Sequence, residues 1–371
     1  MAATYLPDAI DLHALRRVLV TKLRHHGDVL LSSPVFQVLK NHAPHAEVDA
    51  LVYHDTREML TGHPAISEVH TIDRTWKKQG LETQLRAEWG LFRSMQARRY
   101  DLIVHLTEHP RGAMLCQLLG PRWSVARSQP DRGWFWKKSF THRYPHPKGK
   151  PRHTVELNLD ALRRIGIQPG LKERQLVLVP GADADLAVEQ KLAELGVAPK
   201  SFIHVHPTSR WFFKTWPAER VAELIDALHA RGERIVLTAA PDPRETEMVK
   251  AILARVTQAP ISLAGVLSLK QLAALTARAK LFMGVDSAPM HIAAAVGTPV
   301  VALFGPSGNI EWGPWMVPSR VITSDHSCRP CGNDGCGGGK VSECLTSLPV
   351  ARVFAAINEL LRAAPVDGAR H

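Results

Sequence analysis

The stretch Lys280-Leu281-Phe282-Met283-Gly284-Val285-Asp286-Ser287-Ala288-Pro289-Met290-His291-Ile292-Ala293-Ala294-Ala295-Val296-Gly297-Thr298-Pro299-Val300-Val301-Ala302-Leu303-Phe304-Gly305-Pro306 decides the fold. Lys280 to Met283 reads as a strand. His291 to Val296, closed by Gly297, reads as a helix, and Pro299 to Phe304 as a second buried strand. An acid, a hydroxyl and backbone N–H groups therefore meet at a strand-to-helix turn. A helix N-terminus carries unsatisfied donors and the positive end of its dipole, so it suits an anion. In open α/β sheets, ligands sit beside such turns at the carboxyl ends of strands. The turn points to a phosphate-bearing ligand.

Outward from this stretch, strand and helix signals alternate. In the first half Arg17–Thr21, Glu47–Tyr53, Val69–Ile72 and Tyr100–Leu106 read as strands. Val29–His42 and Leu81–Arg98 read as helices, the latter with Leu85, Trp89, Phe92 and Met95 at helical spacing. In the second half Phe202–His206 and Arg234–Thr238 are strands, with helices at Pro217–Ala230, Arg244–Val256, Ser268–Ala279 and Val350–Leu361. Such alternation means βαβ units and parallel sheets. A length of 371 residues fits two domains. The mixed polar segment from Gln168 to Lys200 holds the boundary, giving domains 1–175 and 176–371. The expected class is α/β, two similar halves facing a cleft.

The hydrophobic fraction of 45% is that of an ordinary globular protein. No apolar run is long enough for a transmembrane helix. The N-terminus lacks a basic region followed by an apolar one, which argues for the cytoplasm. The charge is +11, from 46 basic against 35 acidic residues. It favours a polyanionic partner (nucleic acid, anionic headgroups or a phosphorylated acceptor) over a merely solvated basic surface only evenly. Of five cysteines, Cys116 lies in an apolar segment and reads as core. The others form Cys328-x2-Cys331-x4-Cys336-x7-Cys344. In a reducing compartment this reads as a metal site before disulfides, with free loop thiols as the plainer alternative.

Two further strand-to-helix turns carry chemistry. In Lys22-Leu23-Arg24-His25-His26-Gly27-Asp28-Val29, Asp28 stands where a helix begins. It is either an N-cap or a general base aimed into the cleft. In His206-Pro207-Thr208-Ser209-Arg210-Trp211-Phe212-Phe213-Lys214-Thr215-Trp216-Pro217, hydroxyls and a lysine suit a diphosphate. At the opening turn, Asp286 suits sugar hydroxyls, while Ser287 and the N–H groups after it suit phosphate. His291 alone reads as a core histidine. Glu245 and Glu247 either bind a ribose or are first-turn acids. There is no P-loop and no HExxH helix, and no Asp-x-Asp pair suggests a magnesium-dependent sugar transferase. From Pro121 to Arg152, basic Arg122, Arg127, Arg132, Lys137, Lys138, Arg143, Lys148 and Lys150 interleave with Trp123, Trp134, Phe135, Trp136 and Phe140. That mixture suits a membrane interface as well as it suits a solvated loop.

These segments resemble glycosyltransferase family nine, the ADP-heptose:lipopolysaccharide heptosyltransferases of the GT-B fold, over about Arg17 to Leu361. Asp286-Ser287-Ala288-Pro289-Met290-His291, with Gly297-Thr298-Pro299 and Phe304-Gly305-Pro306, is similar to the branch adding the third, branching heptose of the inner core. The resemblance implies two Rossmann-like domains, the N-terminal one for the acceptor and the C-terminal one for the nucleotide-sugar donor. It implies Asp28 as catalytic base and Lys214 on the donor diphosphate, with Thr208 and Ser209 as hydroxyl partners. Asp286, Ser287, Ala288 and His291 match the donor motif, with Asp286 facing the heptose. A glutamate on adenosine is implied after Thr238, Glu245 and Glu247 both fitting. The implied reaction is inverting transfer of heptose from ADP-heptose to the lipopolysaccharide core, with no catalytic metal and no cofactor. The enzyme would be cytoplasmic and peripheral on the inner membrane, without nucleic-acid partners. The alternatives are a family-nine enzyme of another donor or acceptor, and a non-enzymatic basic module binding nucleotide or nucleic acid.

Overall fold

The computed structural model describes residues 8–129, 131–145 and 149–363. Lys148 of the basic segment lies outside them. The chain divides into two compact units between Val179 and Pro180.

The first unit runs β1 (Arg17–Thr21), α1 (His26–Leu30), α2 (Ser33–His42), β2 (Glu47–Tyr53), β3 (Glu68–Ile72), α3 (Leu81–Arg98) and β4 (Leu102–His105). It continues with α4 (Pro110–Leu119), β5 (Trp123–Arg127), α5 (Trp134–Ser139), β6 (His142–Tyr144) and α6 (Thr154–Arg164). Its sheet order is β3-β2-β1-β4-β5-β6, all parallel. Strands β1, β2 and β4 are almost wholly buried, as a sheet covered by helices on both faces requires. One face packs Leu19, Leu51 and Ile103 against Met95, Ala113, Cys116, Trp136 and Phe140. Each large side chain so buried contributes about 1.5–3 kcal/mol.

Two expectations are corrected here. The helix expected over Val29–His42 is two helices, because Pro34 stands in the first turn of α2. Proline lacks the N–H that a continuous helix needs. The segment from Pro121 to Arg152 is not a loop but contains β5, α5 and β6. Its strands are of five and three residues, too short to show a period.

The second unit begins with α7 (Ala182–Glu194), inside the mixed polar segment read as holding the boundary. Then follow β7 (Phe202–His206), α8 (Ala218–His229), β8 (Arg234–Leu237), α9 (Pro243–Leu253), β9 (Ile261–Ser262), α10 (Leu269–Arg278) and β10 (Leu281–Val285). Last come α11 (Ala288–Ala295), β11 (Val300–Leu303), α12 (Asn309–Trp312), β12 (Ser319–Ile322), α13 (Glu343–Thr346) and α14 (Val350–Ala363). The order is β12-β11-β10-β7-β8-β9, again parallel. Ile203, Val205, Met283 and Leu303 face Leu224, Ile225, Val353 and Ile357. Phe202 and Val236 face Val188, Leu192 and Leu275 on the other side.

Both sheets reverse direction of growth at their centre, between β1 and β4 and between β7 and β10. This is the doubly wound dinucleotide-binding order, whose ligands lie at the carboxyl ends of the two strands flanking the switch.

Candidate functional site

In the second unit, the carboxyl end of β7 leads into Pro207–Pro217 and that of β10 into Asp286–Ser287. The two strands approach closely. Gly284 sits opposite His206, and a Cβ on Gly284 would lie 2.9 Å from the His206 carbonyl and 2.7 Å from the Phe282 ring. Only glycine fits there.

Behind the β7 loop lies a buried polar network. His204 Nε2 and His206 Nδ1 meet Thr238 Oγ1 at 2.7 and 2.8 Å, and Thr276 Oγ1 meets His204 Nδ1 at 3.0 Å. Burial pushes His206 down to about 3 and His204 well below its usual value, so both rings are neutral. Thr208, fully buried, donates to Glu245 Oε2 at 2.6 Å, and the Ala240 N–H donates to the same oxygen at 3.2 Å. Ser209 Oγ accepts from the Trp211 N–H at 3.2 Å.

The structure separates the two glutamates. Glu245 is buried on Thr208. Glu247 is exposed and pairs with Lys250 at 3.3 Å. It lines a shallow groove of about 560 Å³ with Phe212, Pro243, Arg244, Met248 and Ala251.

The 3-10 turn Phe212–Lys214 carries Lys214 Nζ to 2.6 Å from Asp286 Oδ2. Asp286 is 6% exposed, and its backbone N–H donates to Leu303 at 3.2 Å. Two turns read separately in the sequence thus meet in one ion pair. Ser287 is the N-cap residue of α11, yet its hydroxyl turns back to the Val285 carbonyl at 3.3 Å. No side chain therefore caps the N-terminus of α11. His291 is buried on α11, as its core reading expects. The chain's Asp183-x-Asp185 is a helix first turn, with Asp185 paired to Arg278 at 2.7 Å.

In the first unit, Asp28 is the third residue of α1, whose N-cap position is His25. The N-cap reading of Asp28 is therefore wrong. The half-buried carboxylate stands past the end of β1 beside a cation that sequence reading did not single out. Lys22 is buried, donating to the Leu106 carbonyl at 3.1 Å and to Asn158 Oδ1 at 3.0 Å. Burial pushes it down to about 8, against the attraction of Asp28. The available signal was a lysine directly following an apolar strand. Arg127 and Arg24 approach Glu108 at 2.9 and 3.9 Å, so this end of the sheet gathers cations.

A family model described as Glycosyltransferase family 9 (heptosyltransferase) matches residues 89–341. The chain belongs to this family. It is 35% identical to Lipopolysaccharide heptosyltransferase 3 of Escherichia coli over 344 residues, 91% of this chain and 97% of that protein. Its fold matches the glycosyl transferase family 9 structure from Veillonella parvula, with TM-score 0.81, 23% identity and coverage of 96% and 100%. The ADP-heptose heptosyltransferase II structure from E. coli gives TM-score 0.73 at 22% identity, covering 94% and 99%. The chain is a glycosyltransferase of the heptosyltransferase family, with two doubly wound units of the GT-B kind.

Proposed function

We propose that this enzyme transfers heptose from ADP-heptose to the lipopolysaccharide core, with inversion and without a catalytic metal. The observation that carries it is the Lys214–Asp286 pair beside the N-terminus of α11. A lysine and helix donors answer a diphosphate, and an adjacent buried carboxylate answers a polyol. The relative named a lipopolysaccharide heptosyltransferase supports the acceptor class.

Each unit has its own part. The first, with Lys22 beside Asp28 and with Arg24 and Arg127 near the same strand ends, takes the anionic acceptor. Asp28 accepts the proton of the attacking hydroxyl. The second holds the donor, and Lys214 with the α11 donors stabilises departing ADP. Thr208 and Ser209 shape the diphosphate loop. In this reading Glu247, on the open groove, meets the adenosine, while Glu245 fixes Thr208. Core oligosaccharide from a strain lacking the protein should lose one heptose by mass spectrometry. Purified enzyme should restore it from ADP-heptose at a rate independent of added magnesium. An unchanged core, or a clear preference for another nucleotide sugar, would overturn the assignment.

The enzyme works at the cytoplasmic face of the inner membrane in this reading. Among the described residues no helix is long and apolar enough to cross a membrane. The basic aromatic segment divides in the structure. Trp136 and Phe140 are core, and Arg127 pairs with Glu108, whereas Trp134 is 70% exposed with Lys138 Nζ 4.9 Å over its ring. Leu81, Leu85 and Trp89 of α3 are exposed, as are Met114 and Leu118 of α4. Arg111 ties α4 to Glu88 of α3 at 2.9 Å, and Gln117 reaches Ser139 of α5. Apolar stripes on three neighbouring helices, with Lys137 and Lys138 beside them, suit an anionic bilayer. Lys137→Glu with Lys138→Glu should weaken binding to anionic vesicles by about 1 kcal/mol per reversed lysine at least. It should raise the KM for lipid acceptor and leave ADP affinity unchanged. Vesicle binding equal to that of the unmodified enzyme would return this face to ordinary solvated surface.

A further inference from the structure

The segment after β12 has no core of its own. From Asp325 to Lys340 it contains five glycines and none of Ala, Val, Leu, Ile, Met, Phe, Tyr or Trp. Ordering such a chain costs about 1–2 kcal/mol per residue of backbone entropy, and burial here offsets little of it. Small loops of this kind are held by staples, disulfides or metal ions. The thiols Cys328, Cys331 and Cys336 lie in this segment, and Cys344 follows on α13.

The structure folds these four thiols toward one place. Arg329 Nε donates to the Gly305 carbonyl at 2.7 Å, and the Gly332 N–H to the Pro306 carbonyl at 2.9 Å. These bonds fix the Cys328–Cys331 stretch on the chain leaving β11. Cys344 reaches the same place: a Cβ on Gly305 would lie 3.5 Å from its sulfur. The Cys336 N–H donates to Val341 at 2.7 Å, and Cys336 Sγ accepts from the Glu343 N–H at 3.5 Å, beside Cys344. All four are free thiols.

What this loop touches gives it a role. Ser342 Oγ donates to the Phe213 carbonyl at 2.6 Å, and Trp216 Nε1 donates to the Leu348 carbonyl at 3.2 Å, both buried. Phe213 and Trp216 flank Lys214. The stretch carrying Cys344 therefore grips the diphosphate-loop lysine from both sides.

We propose that Cys328, Cys331, Cys336 and Cys344 form a four-thiolate site for a zinc-like divalent cation, and that the ion braces the Lys214 turn. Four thiolates favour zinc or ferrous iron in tetrahedral geometry. A nucleotide-sugar enzyme of the cell interior keeps its thiols reduced, which favours metal over disulfide. Among the described residues, the potential ligand atoms already within 4.8 Å of one another are those of Asp49, Glu68 and His70. Asp49 there is taken by Arg98 at 2.7 Å and Tyr100 at 2.8 Å, so that trio is an ion-pair network. The thiols stand wider, and the glycines between them let the loop close as the ion binds, coupling binding to ordering. The bracing half rests on Lys214 as a diphosphate residue, whereas metal content tests the site by itself.

The test uses the full chain, purified under reductant. Elemental analysis should find about one zinc or iron per chain, the stoichiometry of a four-thiolate site. Cobalt loaded in its place should give the intense visible bands and thiolate charge-transfer absorption of tetrahedral sulfur ligation. Cys331→Ser with Cys336→Ser should abolish both and weaken ADP binding on the order of tenfold, as loss of a supporting shell does. Should that variant fold poorly, Ser342→Ala keeps all four thiols. It should retain the metal and still weaken ADP binding. Metal-free protein with four reactive thiols after incubation with zinc, or two disulfides in their place, overturns the site. Metal present with ADP affinity unchanged in both variants overturns the brace.

Discussion

Asp28→Asn is expected to lower turnover about a hundredfold or more, the usual size of a lost general base. That corresponds to about 2.7 kcal/mol of transition-state stabilisation. The amide keeps the size of the side chain, and Asp28 is not the N-cap of α1, so α1 keeps its start. ADP binds the other unit in this reading, so ADP affinity should stay within about twofold, well below one tenfold step. The loss should therefore appear in kcat. Lys22 supplies a second signature. Burial lowers it to about 8, partly countered by Asp28. Its charge is present below that pH and lost above it. Removal of the cation beside Asp28 should change the rate of the unmodified enzyme as pH rises through about 8. In Asp28→Asn one of its charge partners is gone, so that limb should move to lower pH. Near-normal turnover in the variant would reduce Asp28 to a helix residue.

The parts of this molecule legible in its sequence are those where one physical signal dominates. Buried parallel strands such as Val300–Leu303 are continuous apolar runs, and Gly284 and Asp286 mark the turn that follows β10. The turns at Asp28, Thr208 to Lys214 and Asp286 were visible because strand, turn and helix signals coincide there. Signals spread over distant residues were not. Nothing in the sequence tells that Lys214 meets Asp286, 72 positions away. Nor could it divide Glu245 from Glu247, which share a first turn and differ only in the direction each faces. Periodicity gave the helix at α3 but not the direction of its apolar face. Leu85 and Trp89 recur at helical spacing, but that spacing defines a face without saying whether protein or solvent meets it. Lys22 escaped notice because an isolated lysine at a strand end usually points outward, whereas Asn158 and the Leu106 carbonyl draw this one in.

Lys214 and Asp286 are expected to separate the two halves of the donor. Lys214→Ala removes a charge-assisted phosphate contact, a kind of bond worth about 1.5–3 kcal/mol. ADP and ADP-heptose should both weaken, by roughly ten- to a hundredfold. The substitution also leaves Asp286 6% exposed and without its cation. Removing one partner of a buried pair is costly, so the variant's second unit should unfold at lower denaturant. Lys214→Arg keeps a charge and should recover much of that stability. Asp286→Ala acts differently. It releases Lys214, held at 2.6 Å in the structure, and takes a negative charge away from the anion site. ADP affinity should hold or rise. ADP-heptose loses the acceptor for its sugar hydroxyls, so its advantage over ADP should shrink by about tenfold, the value of one good hydrogen bond to a charged group. Calorimetry with both ligands on each variant reads the difference directly. Equal losses for ADP and ADP-heptose at Asp286 would remove the sugar from its role, and a Lys214→Ala enzyme with undiminished ADP affinity would move the diphosphate elsewhere on the β7 and β10 ends.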